Sequence, residues 1–189
     1  MTESTENKLG LAKWETSFNL NEGLIMVEAE QIETLEVLKE LVFKANDMKC
    51  LPLILTDDFT LIERVKKIQK FCTLVLVPKD RIRDLKEMMG DVTRGRTLIR
   101  IMLEDIRENF LGHVVYFEEL IFVGEEARLK PEIMGANSLM VMVRGREDEA
   151  FKSVLGKLEY LNRHVKNASL VVGVAINGAC DHQIFVVYR

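Results

Sequence analysis

The sequence has 189 residues, of which 48% are hydrophobic and 30% charged, enough apolar material for one large or two small packed domains. Its 26 Lys and Arg against 30 Asp and Glu leave a formal charge of −4 and a pI near 5.5, with no basic surplus, so nucleic acid binding has little electrostatic support and no nucleic acid partner is expected. No apolar run approaches the roughly 20 residues that cross a bilayer, and Met1 to Asn7 has neither the basic nor the apolar part of a signal peptide, so a soluble cytoplasmic protein is expected.

Residues 1–20 are polar and mixed, with Trp14 and Phe18 as the only large anchors, and read as a tail or irregular lead-in. Gly23 to Val27 reads as a short buried strand. Ile32, Leu35, Leu38, Leu41 and Val42 then recur at helical spacing, which predicts an amphipathic helix from Gln31 to Ala45. Leu51 to Leu55 is the next strand, and Pro52, which cannot donate to a ladder, marks its start or a sheet edge. Thr56 to Asp58 turns into a helix from Leu61 to Phe71 with Lys66, Lys67 and Lys70 on its wet face, and Thr73 to Val77 is a third strand. Strands alternating with helices imply right-handed crossovers and a parallel sheet.

Leu98, Ile101, Met102, Asp105, Ile106 and Phe110 form a largely apolar stripe against Arg94, Arg96, Arg100, Glu104, Arg107 and Glu108, which predicts one helix from Asp91 to Phe110. Its stripe needs cover, so Leu98→Asp is expected to destabilise the fold strongly through an unpaired buried charge. The remaining chain reads as strand, helix, strand, turn, strand. Ser138 to Val143 is a strand, Glu147 to Val165 a helix, and Leu170, Val172, Val174 and Ile176 alternate with Val171, Gly173 and Ala175. Asn177-Gly178 tolerates positive φ and closes a hairpin onto Ile184 to Tyr188.

The run Gly135-Ala136-Asn137-Ser138-Leu139-Met140-Val141-Met142-Val143, a helix, Asn167-Ala168-Ser169-Leu170-Val171-Val172-Gly173 and a polar turn resembles the C-terminal domain of the FtsZ/tubulin superfamily. The front half is similar in the same order. Leu53-Ile54-Leu55-Thr56-Asp57-Asp58-Phe59 stands where the family has Val-Val-Thr-Lys-Pro-Phe, and Leu74-Val75-Leu76-Val77-Pro78-Lys79-Asp80-Arg81 where it has a strand, Pro-Asn-Asp and a basic residue. The resemblance covers about Leu24 to Arg189, although the chain is several residues shorter between landmarks. It implies an α/β fold: a partial Rossmann-like parallel sheet layer over residues 21–90, a central linking helix over 91–111, and a chorismate-mutase-like βαββ domain over 112–189.

The residues also depart from the family. Its phosphate loop, Gly-Gly-Gly-Thr-Gly-Thr/Ser-Gly, presents backbone N–H groups to the nucleotide. Here Leu24 to Val27 runs directly into Glu28-Ala29-Glu30-Gln31, whose carboxylates would repel phosphate, and no Walker-type or GxGxxG sequence occurs elsewhere. Too few residues precede Leu24 for the earlier strands of a nucleotide domain. The family's acidic loop, Asn-x-Asp-Phe-x-Asp, aligns with Val114 to Leu120: Phe117 and Glu119 match, Tyr116 replaces the first acid, and the asparagine is absent. Losing the cradle and one carboxylate removes the positioning and charge stabilisation that hydrolysis needs. No catalytic residue, nucleotide or other cofactor is therefore expected. Tyr116, Phe117, Glu118 and Glu119 remain as candidate interaction residues, with Glu118 and Glu119 at a solvated helix start.

The other singletons carry no chemistry of their own. His113, His164 and His182 have no metal-ligand spacing, Cys50, Cys72 and Cys180 suit buried reduced thiols, and Met140 with Met142 suits core. The acids Glu118, Glu119, Glu125 and Glu126 read as a wet face. Two functions follow. The first is a non-catalytic FtsZ/tubulin-like protein that associates with itself or with FtsZ-type filaments of cell division or the cytoskeleton, as a cap or regulator that keeps the loop face without the nucleotide face. The second is a stand-alone α/β ligand-binding module with a pocket at the strand ends near Thr56 to Phe59 and Pro78 to Arg81.

Overall fold

The computed structural model describes residues 23–189 except 33, 95–96, 125 and 177–182, with the side chains at 31, 94 and 147–153 also left aside. The lead-in with Trp14 and Phe18, the Asn177-Gly178 turn, Glu125, Cys180 and His182 lie outside the described residues. Among those described, the strands are β1 (Leu24–Glu28), β2 (Leu51–Thr56), β3 (Thr73–Leu76), β4 (Thr97–Ile99), β5 (Val114–Glu119), β6 (Phe122–Val123), β7 (Glu126–Ala127), β8 (Ser138–Gly145), β9 (Ser169–Ile176) and β10 (Gln183–Tyr188). The α-helices are α1 (Leu35–Asp47), α2 (Leu61–Val65), α3 (Ile82–Arg94), α4 (Leu103–Phe110), α5 (Pro131–Met134) and α6 (Glu147–His164).

Eight strands form one sheet in the order β1-β2-β3-β5-β10-β8-β9-β4, and β6 pairs with β7 in a separate small hairpin. The pairs β1–β2, β2–β3, β3–β5 and β8–β9 are parallel, while β10 runs antiparallel to both β5 and β8, and β4 antiparallel to β9. All the larger strands except β10 and β4 therefore point the same way. The mixed α/β fold with a mostly parallel sheet follows from the reading of alternating strands and helices. Pro52 sits at the second residue of β2, before pairing with β3 begins at Leu53, so the missing N–H falls at a strand start rather than an edge.

Side-chain alternation sorts the helices onto two faces. Leu53, Leu55, Val75, Val115, Phe117, Met140, Met142 and Phe185 bury one face against Ile82, Leu85, Met88, Met89 and Val92 of α3 and Ile106 and Phe110 of α4. The opposite face is covered by α1 and α2 over β1 to β3 and by α6 over β8 to β10, through Leu38, Val42 and Val65 and through Val154, Leu161 and Val165. Met140 and Met142 are core, as their spacing suggested.

The expected continuous helix from Asp91 to Phe110 is corrected. α3 stops at Arg94, Thr97 to Ile99 pairs with β9 as an edge strand, and α4 begins at Leu103. Gly95 is a poor helix residue, costing about 1 kcal/mol relative to Ala, and Thr97-Leu98-Ile99 offers β-prone side chains to the open edge of β9. The Asp105 carboxylate accepts a hydrogen bond from the Met102 N–H at 3.0 Å and starts the new helix. The apolar stripe merged residues from two elements: Ile101, Ile106 and Phe110 are buried, but Leu98 and Met102 are exposed. Between Leu61 and Phe71 the expected single helix is likewise shorter, with α2 ending at Val65 and a short 3-10 turn at Gln69–Phe71.

Candidate functional site at the carboxyl end of the parallel strands

β2, β3 and β5 run parallel, so their carboxyl ends open on one edge of the sheet. There the chain leaves β2 at Thr56 and β3 at Leu76 while β5 continues to Glu119. The turn after β2 is tied down by its own side chains. Thr56 Oγ1 accepts from the Asp58 N–H at 2.9 Å and donates to Glu30 at 3.0 Å, while Asp58 accepts from the Thr60 N–H and hydroxyl at 2.8 and 2.7 Å. Those Thr60 bonds hold the Asp58 carboxyl below its ordinary pKa.

A cleft of about 470 Å³ occupies this edge, lined by Asp57 and Phe59 after β2, by Val77, Pro78 and Arg81 after β3, and by Tyr116 to Glu119 of β5. Ile121, Lys130 and Tyr188 complete it. The four candidate interaction residues and the two candidate pocket segments thus form one site. Tyr116 to Glu119 lie in a strand, however, which corrects the expected loop and helix start. Val114-Val115-Tyr116-Phe117 is β-prone and alternates, with Val115 and Phe117 buried in the core while Tyr116 is exposed.

The strand splits the site between two faces. On one, the Tyr116 ring stacks on Tyr188 across the β5–β10 ladder, with centroids 5.6 Å apart, and Glu118 pairs with Lys130 at 2.6 Å and accepts from the Tyr188 hydroxyl at 3.4 Å. Burial first, and then the Glu118 charge, push the Tyr188 hydroxyl up to about 12. On the other face Phe117 stacks on Phe185 at 5.2 Å, and Glu119 pairs with Arg81 at 2.8 Å. Arg81 also pairs with Asp84 at 2.8 Å, and these partners raise its pKa. At the rim, Phe59 and Ile121 are 64% and 77% exposed.

Lys130, Ile121 and Tyr188 were not singled out from the sequence. Tyr188 could have been found by pairing the last strand with Val114 to Glu119, since both carry a tyrosine at matching alternation. Nothing local marks Ile121 or Lys130. At the end of β1 and in the turn beyond it, Glu28 pairs with Lys86 and Glu30 accepts from Thr56, so both carboxylates hold local partners. Among the described residues, no three His, Cys, Asp or Glu side chains gather where a metal ion could bind, and no helix is long and apolar enough to cross a membrane. Cys50 and Cys72 are free buried thiols, and burial pushes Cys72 up to about 12.

Compared with solved structures, the chain superposes on an FtsZ dimer from M. jannaschii, described as empty, with a TM-score of 0.66 at 11% identity over 87% of this chain. The fold is FtsZ/tubulin-like. A mutant FtsZ of M. jannaschii gives a TM-score of 0.64 at 13% identity over 88% of this chain, and a CetZ from Methanosaeta thermophila gives 0.50 at 13% over 88%. This chain spans 62%, 64% and 61% of those three chains, so the FtsZ/tubulin-like fold is matched over about three-fifths of their length. No protein-family model and no curated protein matches the sequence.

Proposed function

We propose that this chain is a non-catalytic FtsZ/tubulin-like protein that associates with itself or with FtsZ-type filaments, as a cap or regulator, and that its docking surface is the cleft around Tyr116 to Glu119. One observation carries this reading: within an FtsZ/tubulin-like fold, the cleft presents the exposed apolar side chains of Phe59, Tyr116 and Ile121 together. Contiguous exposed apolar side chains with a polar rim are the mark of a protein-binding surface. In favour of a non-catalytic role are the carboxylates of Glu28, the last residue of β1, and of Glu30 just after it. A carboxylate there opposes a phosphate electrostatically rather than cradling it.

The test is light scattering and co-sedimentation with an FtsZ-type protein from the same organism, in the presence of GTP. Polymers should become fewer or shorter when this protein is added at comparable concentration. Phe117 is a poor place to break the contact because it is core, so the variant is Phe59→Ser with Ile121→Ser, both exposed. Unchanged polymerisation with no co-sedimentation would leave the fold resemblance as ancestry alone. Calorimetry should show no GTP binding in the micromolar range, and such binding would revive a GTPase reading.

A cleft of about 470 Å³ at the carboxyl ends of parallel strands lies within the roughly 300–1,000 Å³ typical of small-molecule sites and where open α/β sheets bind ligands. A metabolite retained through purification and displaced by Tyr116→Ala would favour a ligand-binding module.

A further inference from the structure

The charges around the cleft select the kind of surface it accepts. Among its lining residues, Asp57, Glu118 and Glu119 face Arg81 and Lys130. Both cations are already engaged, Arg81 by Asp84 and Glu119 and Lys130 by Glu118. Further carboxylates stand just outside. Asp80 acts on Arg81, and Glu132 lies close enough to Tyr188 to raise its hydroxyl. With Asp84 included, six carboxylates surround the cleft, while Lys79 adds one exposed cation to Arg81 and Lys130. Six against three leaves an acidic collar around an apolar floor.

The middle of that floor wants apolar side chains. Phe59 and Ile121 stand at its rim, Leu76, Val77 and Pro78 form one wall, and Tyr116 lies with one ring face against Tyr188. About 470 Å³ accommodates two or three aliphatic or aromatic side chains rather than a whole folded surface. A second copy of this chain brings the same acidic collar and a net charge of −4, so copies facing each other here would repel.

We infer that the cleft accepts a short peptide segment of a protein partner in which two or three apolar anchors are flanked by Lys or Arg. The inference rests on the reading of the cleft as a protein-docking surface and names the chemistry of its occupant. Apolar anchors fill the floor between Phe59, Tyr116 and Ile121. The flanking cations meet the carboxylates on the rim, where charge sets encounter rate and selectivity more than depth of binding.

The experiment uses the whole chain and fluorescently labelled peptides read by anisotropy. One probe is Arg-Lys-Leu-Phe-Ser-Leu-Lys-Arg; a second carries Glu in place of every Lys and Arg; a third carries Ser in place of Leu and Phe. The first should bind at least about tenfold more tightly than either control, and raising salt from about 50 to about 500 mM should weaken it severalfold by screening the rim. Phe59→Ser with Ile121→Ser should abolish the binding. Asp57→Lys with Glu132→Lys should reduce the preference for the basic peptide over the acidic one while sparing the contribution of the anchors. All four positions except Asp57 and Glu132 are apolar and all are exposed, so an unchanged thermal midpoint shows that each variant folds.

Equal binding of the basic and acidic probes overturns the inference. So does dimerisation in sedimentation equilibrium that Ile121→Ser abolishes, because the occupant is then a second copy. If no peptide binds but the chain still co-sediments with FtsZ-type polymers, the inference fails and the proposed function stands. If the basic peptide binds and co-sedimentation is absent, the inference stands and the filament reading fails.

Discussion

Arg144 of β8 reaches Asp91 of α3 at 3.2 Å, with its guanidinium also 3.5 Å from Glu87 and bonded to the Gln183 side chain. The arginine is only 5% exposed, so it ties the helix to the sheet from within. Arg144→Ala would leave two carboxylates facing a vacated site. Breaking a fully buried pair costs roughly 3–5 kcal/mol, and because Glu87 and Asp91 are partly wet the expected loss is about 2 kcal/mol. Urea denaturation should show this as a lower midpoint with an unchanged slope.

Leu98 and Ile101 sit three residues apart and should answer an aspartate very differently. Leu98 is 44% exposed on edge strand β4, whereas Ile101 is buried. Leu98→Asp should change stability by less than about 1 kcal/mol, because surface substitutions usually do. Ile101→Asp should cost more than about 3 kcal/mol by burying an unpaired charge. Equal losses in denaturant melts would restore a continuous buried stripe.

Gly173 of β9 leaves room for the Ile101 side chain. A Cβ there would meet Ile101 carbons at 2.7 Å and Val92 Cβ at 3.0 Å. Gly173→Ala should therefore cost about 1–2 kcal/mol by overpacking. Much of that should vanish in an Ile101→Ala background, so a double-mutant cycle should report a coupling above about 0.5 kcal/mol.

Alkaline pH should destabilise the fold through two groups. Tyr188 rises from 10.0 to about 12 and Cys72 from 9.0 to about 12, both chiefly by burial. For a group whose folded pKa is raised, stability is complete below the unfolded value and is lost as pH rises towards the folded one. The loss should therefore begin near pH 9 and continue to about pH 12. Urea midpoints across that range should fall less steeply in Cys72→Val and in Tyr188→Phe than in the parent, once each is compared with its own midpoint at pH 8.

Much of the fold was legible because strands and helices announce themselves by period. Leu51 to Thr56 and Ser138 to Gly145 are buried at every residue and read as continuous apolar runs, whereas the helix expected from Gln31 begins at Leu35, because Thr34 caps it by accepting from the Val37 N–H at 3.3 Å. The segment after α3 misled because Leu98, Ile101, Met102 and Ile106 satisfy a helical period by coincidence across a strand and a helix. Local spacing cannot report that Gly173 leaves room for Ile101 on a distant strand. For the candidate site, the two loop segments and Tyr116 to Glu119 were legible separately. Their convergence depends on β5 lying beside β3, a pairing between positions some forty residues apart.

The place of β10 in the sheet has a consequence for synthesis. It lies between β5 and β8, so Gln183 to Tyr188 supply the ladder that joins the strands on either side. While the ribosome is still extending the chain, β5 and β8 each show an unpaired inner edge, the kind of edge that recruits stray strands. A polypeptide stalled before Gln183 should be a preferred client for chaperones, and one extended past Tyr188 should be much less so.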